Sequence, residues 1–371
     1  MLSLPEYPWT ALAPYTAKAS EHPDGVVNLS IGTPVDPTPQ VVIDALRAGA
    51  DAPGYPTTHG TVELREAIVE WYARRRNVRG LGVDDVMPTV GSKEMVAWLP
   101  LLLGLGAGDL VVRPVVAYPT YDIGATLAGA ESIAADSLAE LSAEDRARVK
   151  LVWVNSPGNP TGIVHDAATL KALVDDARSL GAVVASDECY AELGWGDYES
   201  GVPSVLDEAV CGGDHTDLIS VYSLSKQSNV AGYRAAFIAG APNLMPALIN
   251  SRKHAGMIVP APVQDAMRAA LADEAHVAAQ KALYRARREA LIPALEGFGL
   301  RIEDSVAGLY LWCTADEDCW ITMGRLAELG IIAGPGAFYG DAGVNFVRIA
   351  LTASDERIAS AVQRLNAARR V

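Results

Sequence analysis

The stretch Leu151-Val-Trp-Val-Asn-Ser-Pro-Gly-Asn-Pro-Thr-Gly162 decides the fold. Its first four residues are a short, wholly apolar run, suited to a strand buried on both faces of a parallel sheet. The next eight, Asn155 to Gly162, hold two Pro, two Gly and two Asn. That density of turn formers demands a special backbone path straight off the strand end. The pattern repeats in both directions. Apolar runs at 86–90, 110–113, 182–186, 218–222 and 235–239 alternate with helical periodicity at 41–47, 61–76, 93–103 and 167–180. Alternating β and α patterns predict an α/β domain, a mostly parallel sheet with helices on both faces, whose ligands bind outside the carboxyl ends of the strands.

Beyond Pro262 the pattern changes. It predicts one long helix over 263–295, a strand at 309–314, a helix near 321–329, a strand at 344–351 and a last helix over 355–369. These make a smaller α+β domain. Residues 1–40 are rich in Pro and Tyr and read as an arm followed by a loop. The expected division is a large domain over 36–259, with 1–35 and 260–371 forming the N-terminal arm and the small domain. No Ser/Gly-rich linker separates the two, so they are expected to pack tightly around a small-molecule cleft.

Composition narrows the function. The 371 residues are 50% hydrophobic and 20% charged, which suits a folded globular chain. The net charge of −15 argues against nucleic acid or an anionic membrane as partner, since both want a basic footprint. It also requires that an anionic substrate be captured by a local positive site. No apolar run approaches the roughly 18 residues of a membrane span. The N-terminus has no basic segment of a secretory signal. Cys189, Cys211, Cys313 and Cys319 form no CxxC, and the six histidines are scattered, so reduced thiols, a cytoplasmic location and no metal are expected.

Three further strand ends carry chemistry. Gly91-Ser-Lys-Glu94 leaves a strand and opens a helix, where unpaired N–H groups favour phosphate, although an ordinary capped turn looks the same. Ser186-Asp-Glu-Cys-Tyr190 brings Asp187 to the crevice, unless it is a surface Asp. Ser223-Leu-Ser-Lys226 ends another strand, with Arg234 eight residues on. A lysine against a low-dielectric wall has a depressed pKa and serves as a Schiff-base amine; the alternative is a solvated surface lysine. The Gly-rich Leu103–Asp109 follows a helix and reads as its cap, not as a dinucleotide loop, and no P-loop pattern exists. Phosphate donors, a carboxylate, an Asn/Tyr pair and an amine on one sheet edge are together what pyridoxal phosphate requires.

With Asn159-Pro-Thr-Gly162, Asp187-x-x-Tyr190 and Ser223-x-x-Lys226 plus Arg234, the sequence resembles the fold-type I, aspartate-aminotransferase-like family of pyridoxal-phosphate enzymes. The likeness runs from Leu29-Ser-Ile-Gly-Thr-Pro34 to Phe346-Val-Arg-Ile-Ala-Leu-Thr352. It implies an αβα sandwich for the large domain and pyridoxal 5'-phosphate as cofactor. It implies Lys226 as the Schiff-base lysine and proton carrier. Asp187 would face the pyridine nitrogen, Asn159 and Tyr190 the ring 3′ oxygen, and Tyr118 the ring face. Ser92, Lys93, Ser223, Ser225 and Arg234 would cradle the phosphate. Arg348 would bind the substrate α-carboxylate, with Gly32 closing over it. Tyr55 would reach the phosphate of a neighbouring subunit, making a homodimer with shared active sites. The Asn159–Pro160 peptide is expected to be cis.

Within that family the chain resembles the actinobacterial N-succinyldiaminopimelate aminotransferases, through segments such as Leu4-Pro-x-Tyr-Pro-Trp9, Asp51-Ala-Pro-Gly-Tyr-Pro56 and Gly334-Pro-Gly-x-Phe-Tyr-Gly340. The implied substrates are an amino acid, N-succinyl-LL-2,6-diaminopimelate, and a 2-oxo acid, 2-oxoglutarate, in lysine biosynthesis. Arg252, Lys253 and the Lys93 side chain are candidates for the remaining carboxylates, with a solvated surface charge the favoured reading of each, since no spacing selects among them. Rival readings are an aminotransferase for aspartate, alanine or an aromatic amino acid, a C–S lyase or decarboxylase, and a non-catalytic regulator. The acidic charge and the absence of room for a DNA-binding domain disfavour the last.

Overall fold

The computed structural model describes residues 4–5 and 8–368. The start of the expected N-terminal arm and the end of the last helix at Arg369 therefore lie outside the described residues. The chain enters through a short 3-10 turn at Pro8–Leu12, helix α1 (Ala13–Ala19) and strand β1 (Val27–Asn28). Helices α2 (Gln40–Ala48) and α3 (Val62–Arg75) follow. Thr61 starts α3 because its hydroxyl accepts the Leu64 N–H at 3.2 Å, satisfying one of the helix's orphan donors.

The large body then alternates strands and helices: β2 (Val86–Val90), α4 (Ser92–Leu102), β3 (Leu110–Arg113), α5 (Thr120–Ala128), β4 (Glu131–Ala134), α6 (Ala143–Arg148), β5 (Val149–Asn155), α7 (Ala167–Ser179), β6 (Val183–Asp187), α8 (Glu208–Cys211), β7 (Leu218–Ser223) and β8 (Ala235–Gly240). One sheet of seven strands results, in the order β2-β8-β7-β6-β5-β3-β4. All its pairings are parallel except those of β8, which runs antiparallel to both β2 and β7. The central strands β7 and β8 are buried along their whole length, as continuous apolar runs dictate. Edge strand β4 (Glu-Ser-Ile-Ala) has no fully buried residue, and its mixed polarity is why periodicity alone does not reveal it.

Past β8 come α9 (Met245–Ala255), α10 (Ala261–Ala272) and α11 (Glu274–Phe298). The single helix expected over 263–295 is therefore two. Asp273 has extended backbone dihedrals and accepts the Ala275 N–H at 2.9 Å, so it caps a new helix instead of continuing the old one. Met267, Ala270 and Leu271 of α10 are buried in the core of the seven-stranded sheet, and α10 packs on α2 and α3.

The remainder is β9 (Arg301–Glu303), β10 (Tyr310–Thr314), α12 (Cys319–Glu328), β11 (Ile331–Ile332), β12 (Gly334–Pro335), β13 (Phe346–Ala350) and α13 (Asp355–Ala367). Four of these strands form an antiparallel sheet, β12-β13-β10-β9. β1 pairs in parallel with β11, so residues 27–28 join the small body through main-chain hydrogen bonds. Leu12, Ala19, Val27 and Leu29 are buried in the same core as Leu311, Val347 and Ile349. The arm thus folds onto its own chain: the Trp9 ring lies 5.0 Å from Phe338. No helix among the described residues is long and apolar enough to cross a membrane.

Candidate active site

A cleft of about 960 Å³ opens at the carboxyl ends of the central strands, between the large sheet and the small body. Every residue marked for the cofactor, the α-carboxylate or the rim lines it except Tyr55, which is fully exposed on the loop between α2 and α3.

Sheet order arranges these groups. At one end, α4 begins at Ser92 with Gly91 as its N-cap and no side-chain cap, so the first N–H groups face the cleft end. Gly91 has φ +78°, and a Cβ there would meet the Arg234 guanidinium, so only glycine lets Arg234 lie across this turn. Arg234 is itself left-handed, at φ 57°, and its Nη1 donates to Ala231 O at 2.9 Å. Ser223 Oγ donates to Ser225 Oγ at 2.8 Å beside them. An uncapped helix start, an arginine and two hydroxyls fit a phosphate.

Mid-sheet, Asp187 ends β6. It is buried, and its oxygens accept from the Tyr121 hydroxyl at 3.0 Å and the Cys189 N–H at 3.2 Å. No described Lys or Arg donates to it. Burial therefore pushes its carboxyl above the usual value, against the pull of those two hydrogen bonds. A buried carboxylate with donors but no cation is a fit for a protonated ring nitrogen. Tyr118 lies edge-to-face with Tyr121 at 5.9 Å and lines the same wall. These features together fit pyridoxal phosphate.

Lys226 follows β7. Its amine donates to Gly32 O, part of a loop carried from the other end of the chain. Burial lowers the Lys226 pKa; nearby Tyr310 and Cys189 oppose this, while Arg348 and Arg234 add to it. Gly32 has no room for a side chain: a Cβ would lie 2.7 Å from the Tyr310 Cζ and closer still to its hydroxyl. The loop is tied further by Thr352 Oγ1 to Ile31 O at 2.8 Å and by the Arg287–Asp36 ion pair.

Arg348, on β13, is buried. One Nη donates to Asn159 Oδ1 at 2.8 Å and the other to Ser30 O, while Nε has no partner among the described residues. Its guanidinium stacks 4.0 Å over the Tyr310 ring. The Tyr310 and Tyr190 hydroxyls are 3.2 Å apart. Burial would raise the Tyr310 hydroxyl, yet the Arg348 and Lys226 cations hold it below its usual value. The Asn159–Pro160 peptide is cis, as is Ser156–Pro157.

Two candidates for the extra carboxylates fall away. Arg252 is fully buried and pairs with Glu94 at 2.6 Å, and neither it nor the exposed Lys253 lines the cleft. Lys93 does, with its amine 5.9 Å from the Tyr118 ring centre. Sequence reasoning missed Tyr310 and Arg113 in the cleft wall, and Tyr121 buried behind it as a partner of Asp187. The only signal for Tyr310 was its place on a strand expected beside Arg348, and pairing register is not readable from either strand alone.

The family model for aminotransferase class I and II matches residues 24–365. The 4-dedimethylamino-4-oxo-anhydrotetracycline transaminase OxyQ of Streptomyces rimosus is 54% identical, over 98% of this chain and all of that protein. A probable aminotransferase of Mycobacterium tuberculosis is 52% identical, over 98% of this chain and 85% of its own. Among solved structures, a probable N-succinyldiaminopimelate aminotransferase from Thermus thermophilus superposes with a TM-score of 0.86 at 29% identity, covering 97% of this chain and 99% of its own.

Proposed function

The chain belongs to the aminotransferase class I and II family of pyridoxal-phosphate enzymes, and we propose that it moves an amino group between N-succinyl-LL-2,6-diaminopimelate and 2-oxoglutarate. The observation that carries this reading is the cation content of the cleft. In a chain of net charge −15, its lining gathers Lys93, Arg113 and Arg348 besides Lys226 and Arg234. An acyclic amino acid with several carboxylates suits that lining.

In this reading Ser92, Lys93, Ser223, Ser225 and Arg234 hold the cofactor phosphate, Lys93 through its backbone N–H. Asp187 holds the ring nitrogen protonated, Tyr118 covers the ring face, and Asn159 and Tyr190 meet the ring oxygen. When bound, the cofactor carries the amino group between the two substrates and withdraws electrons from the bond that breaks at Cα. Arg348 holds the α-carboxylate as a bidentate fork, exchanging its contacts to Asn159 and Ser30 for the substrate. Gly32 closes the rim and excludes water. Lys226, with its depressed pKa, would move the proton between the substrate Cα and the reacting carbon of the cofactor, outward in one half-reaction and back in the other. The exposed Tyr55 completes the phosphate site of a second copy, so the working unit is a homodimer.

A second reading follows from the 54% identity to the tetracycline-pathway transaminase: the amino group would pass to a polycyclic ketone. The apolar part of the lining, with Trp9, Ile123 and Phe338, favours it.

The test is the visible absorption of purified holoenzyme. Adding N-succinyl-LL-diaminopimelate alone should bleach the band, and 2-oxoglutarate should restore it. A band unmoved by this compound but bleached by glutamate, and restored by a polycyclic ketone, would replace the first reading with the second.

A further inference from the structure

We propose that Asn229 and Gln280 form a latch that sets the rim loop carrying Gly32 against the loop carrying Lys226, and so act as positioning residues in amino-group transfer. The inference rests on the aminotransferase reading above and extends it to two side chains outside the cleft lining. Asn229 follows Lys226 on the same loop and has left-handed backbone, at φ 52°. Gln280 lies on α11 and is buried.

Their amides face one another. Asn229 Nδ2 donates to Gln280 Oε1 at 2.7 Å and to Pro37 O at 3.2 Å. Gln280 Nε2 donates to Asp36 Oδ2 at 2.8 Å. Thr38 Oγ1 donates back to Asn229 O at 2.9 Å. As a carboxylate, Asp36 only accepts, so the side-chain donors run one way, from the lysine loop through Gln280 to the rim loop. Turned over, the Asn229 amide would set oxygen against oxygen at both of its contacts. It keeps this orientation although its Oδ1 is buried with no partner among the described residues.

Helix α11 is the mount. His276, Gln280, Tyr284 and Arg287 recur at helical spacing and share one face. His276 Nε2 meets Ser228 Oγ at 2.8 Å, the Tyr284 hydroxyl donates to Lys226 O at 3.4 Å, and Arg287 pairs with Asp36. Of these side chains Gln280 is the one that bonds to both loops. Inside the cleft the loops also touch directly, where the Lys226 amine donates to Gly32 O. That contact ends whenever the amine moves a proton. The latch uses no reacting group, so it keeps the two loops in register during the step itself.

The first test is hydrogen exchange by mass spectrometry on the cofactor-loaded enzyme. Gln280→Leu strands no charge, because Asp36 keeps Arg287 and Asn229 keeps Pro37, so the Tm should fall by no more than about 3 °C. Amides of residues 31–36 and of 226–230 should both exchange about tenfold faster, with β13 and α13 unchanged. Gln280→Glu keeps the acceptor for Asn229 and turns a carboxylate on Asp36, so it should free residues 31–36 alone. The second test is kcat/KM for whichever amino acid, N-succinyl-LL-diaminopimelate or glutamate, bleaches the wild-type band. Gln280→Leu should lower it about tenfold, yet add less than about twofold to the loss in Gly32→Ala, since both displace one loop. If Gln280→Leu speeds exchange in one loop only, in neither, or throughout the molecule, if kcat/KM is unmoved, or if the two losses multiply, Gln280 is an ordinary packing residue and the proposal fails. The substrate reading is judged separately. Should glutamate alone bleach the band and the variants behave as stated with it, the latch stands and the substrate falls. Should N-succinyl-LL-diaminopimelate be converted equally well by wild type and Gln280→Leu, the substrate stands and the latch falls.

Discussion

Asp187 and Glu188 are consecutive buried carboxylates with opposite surroundings. Asp187 faces the cleft with two hydrogen-bond donors and no cation. Glu188 faces the core, where it pairs with Arg76 at 2.9 Å and accepts from Ser204 and the Val205 N–H. Strand alternation sends the two side chains to different faces as β6 ends. One is neutralised by the fold; the other is left for a ligand.

Asp187→Asn should lower turnover by about two to four orders of magnitude, as loss of a partner to the ring nitrogen implies. The cofactor-free variant should nevertheless be more stable than wild type at neutral pH. Burial raises the Asp187 pKa, so the native fold binds its proton more tightly than the unfolded chain and loses that stability as pH rises through the folded value. The Asn variant's advantage should vanish as pH approaches 3.8, the ordinary carboxyl value. Thermal melts of both proteins across pH would show it; a constant difference would rule out this electrostatic origin.

Glu188→Ala should behave in the opposite way. It strands the fully buried Arg76 charge and should cost about 3–5 kcal/mol in urea denaturation. Glu188→Gln, which keeps acceptors for Ser204 and Val205, should lose less. Surviving enzyme should keep its kcat, because Glu188 does not line the cleft.

Gly32→Ala should reduce kcat/KM roughly a hundredfold by displacing the rim loop. Tyr310→Phe should not rescue it, since Cζ and Cε1 lie 2.7 and 2.9 Å from the added methyl. Removing the ring with Tyr310→Ala should restore the loop position, visible in a crystal structure of the double variant. The visible band of bound cofactor should be unchanged by Gly32→Ala alone.

Lys226→Met should abolish turnover, by about a thousandfold or more. In the cofactor-free protein the wild-type stability should rise relative to the variant as pH climbs toward 10.5, the ordinary lysine value. Burial lowers the Lys226 pKa, so the unfolded chain holds the proton more tightly and protonation favours unfolding over that window. Melts at several pH values give the slope, and a slope of the other sign would place the amine in a charge-stabilising site.

Much of this site was legible because its groups sit where apolar runs stop. Asn159, Asp187 and Lys226 each follow a run with no other plausible reading than a buried strand, and parallel winding brings such ends together. Tyr310 and Tyr121 were not legible. Tyr310 matters because β10 pairs with β13 in a register that sets it beside Arg348 and Gly32. Tyr121 matters because α5 aims its hydroxyl at a residue 66 positions away. Arg252 fits neither reading weighed for it, a substrate cation or a solvated surface charge. Nearness to the lysine loop in sequence suggested a substrate role, whereas α9 carries it to Glu94 in the interior. The break at Asp273 went unread because helical periodicity continues through it and only the local cap marks it.

The parallel pairing of Val27–Asn28 with Ile331–Ile332 has a consequence for the order of events on the ribosome. The first of these strands emerges early and waits for a partner made about three hundred residues later, roughly 15–60 s at the usual pace of synthesis. The seven-stranded sheet is complete by Gly240 and has time to form in the interval. The anchoring of the Gly32 loop is complete only once β11 and β13 have been made, so the half of the cleft that holds Arg348 is assembled last. A nascent chain stalled short of its final hundred residues would carry the Lys226 amine with nothing to orient an amino acid against it.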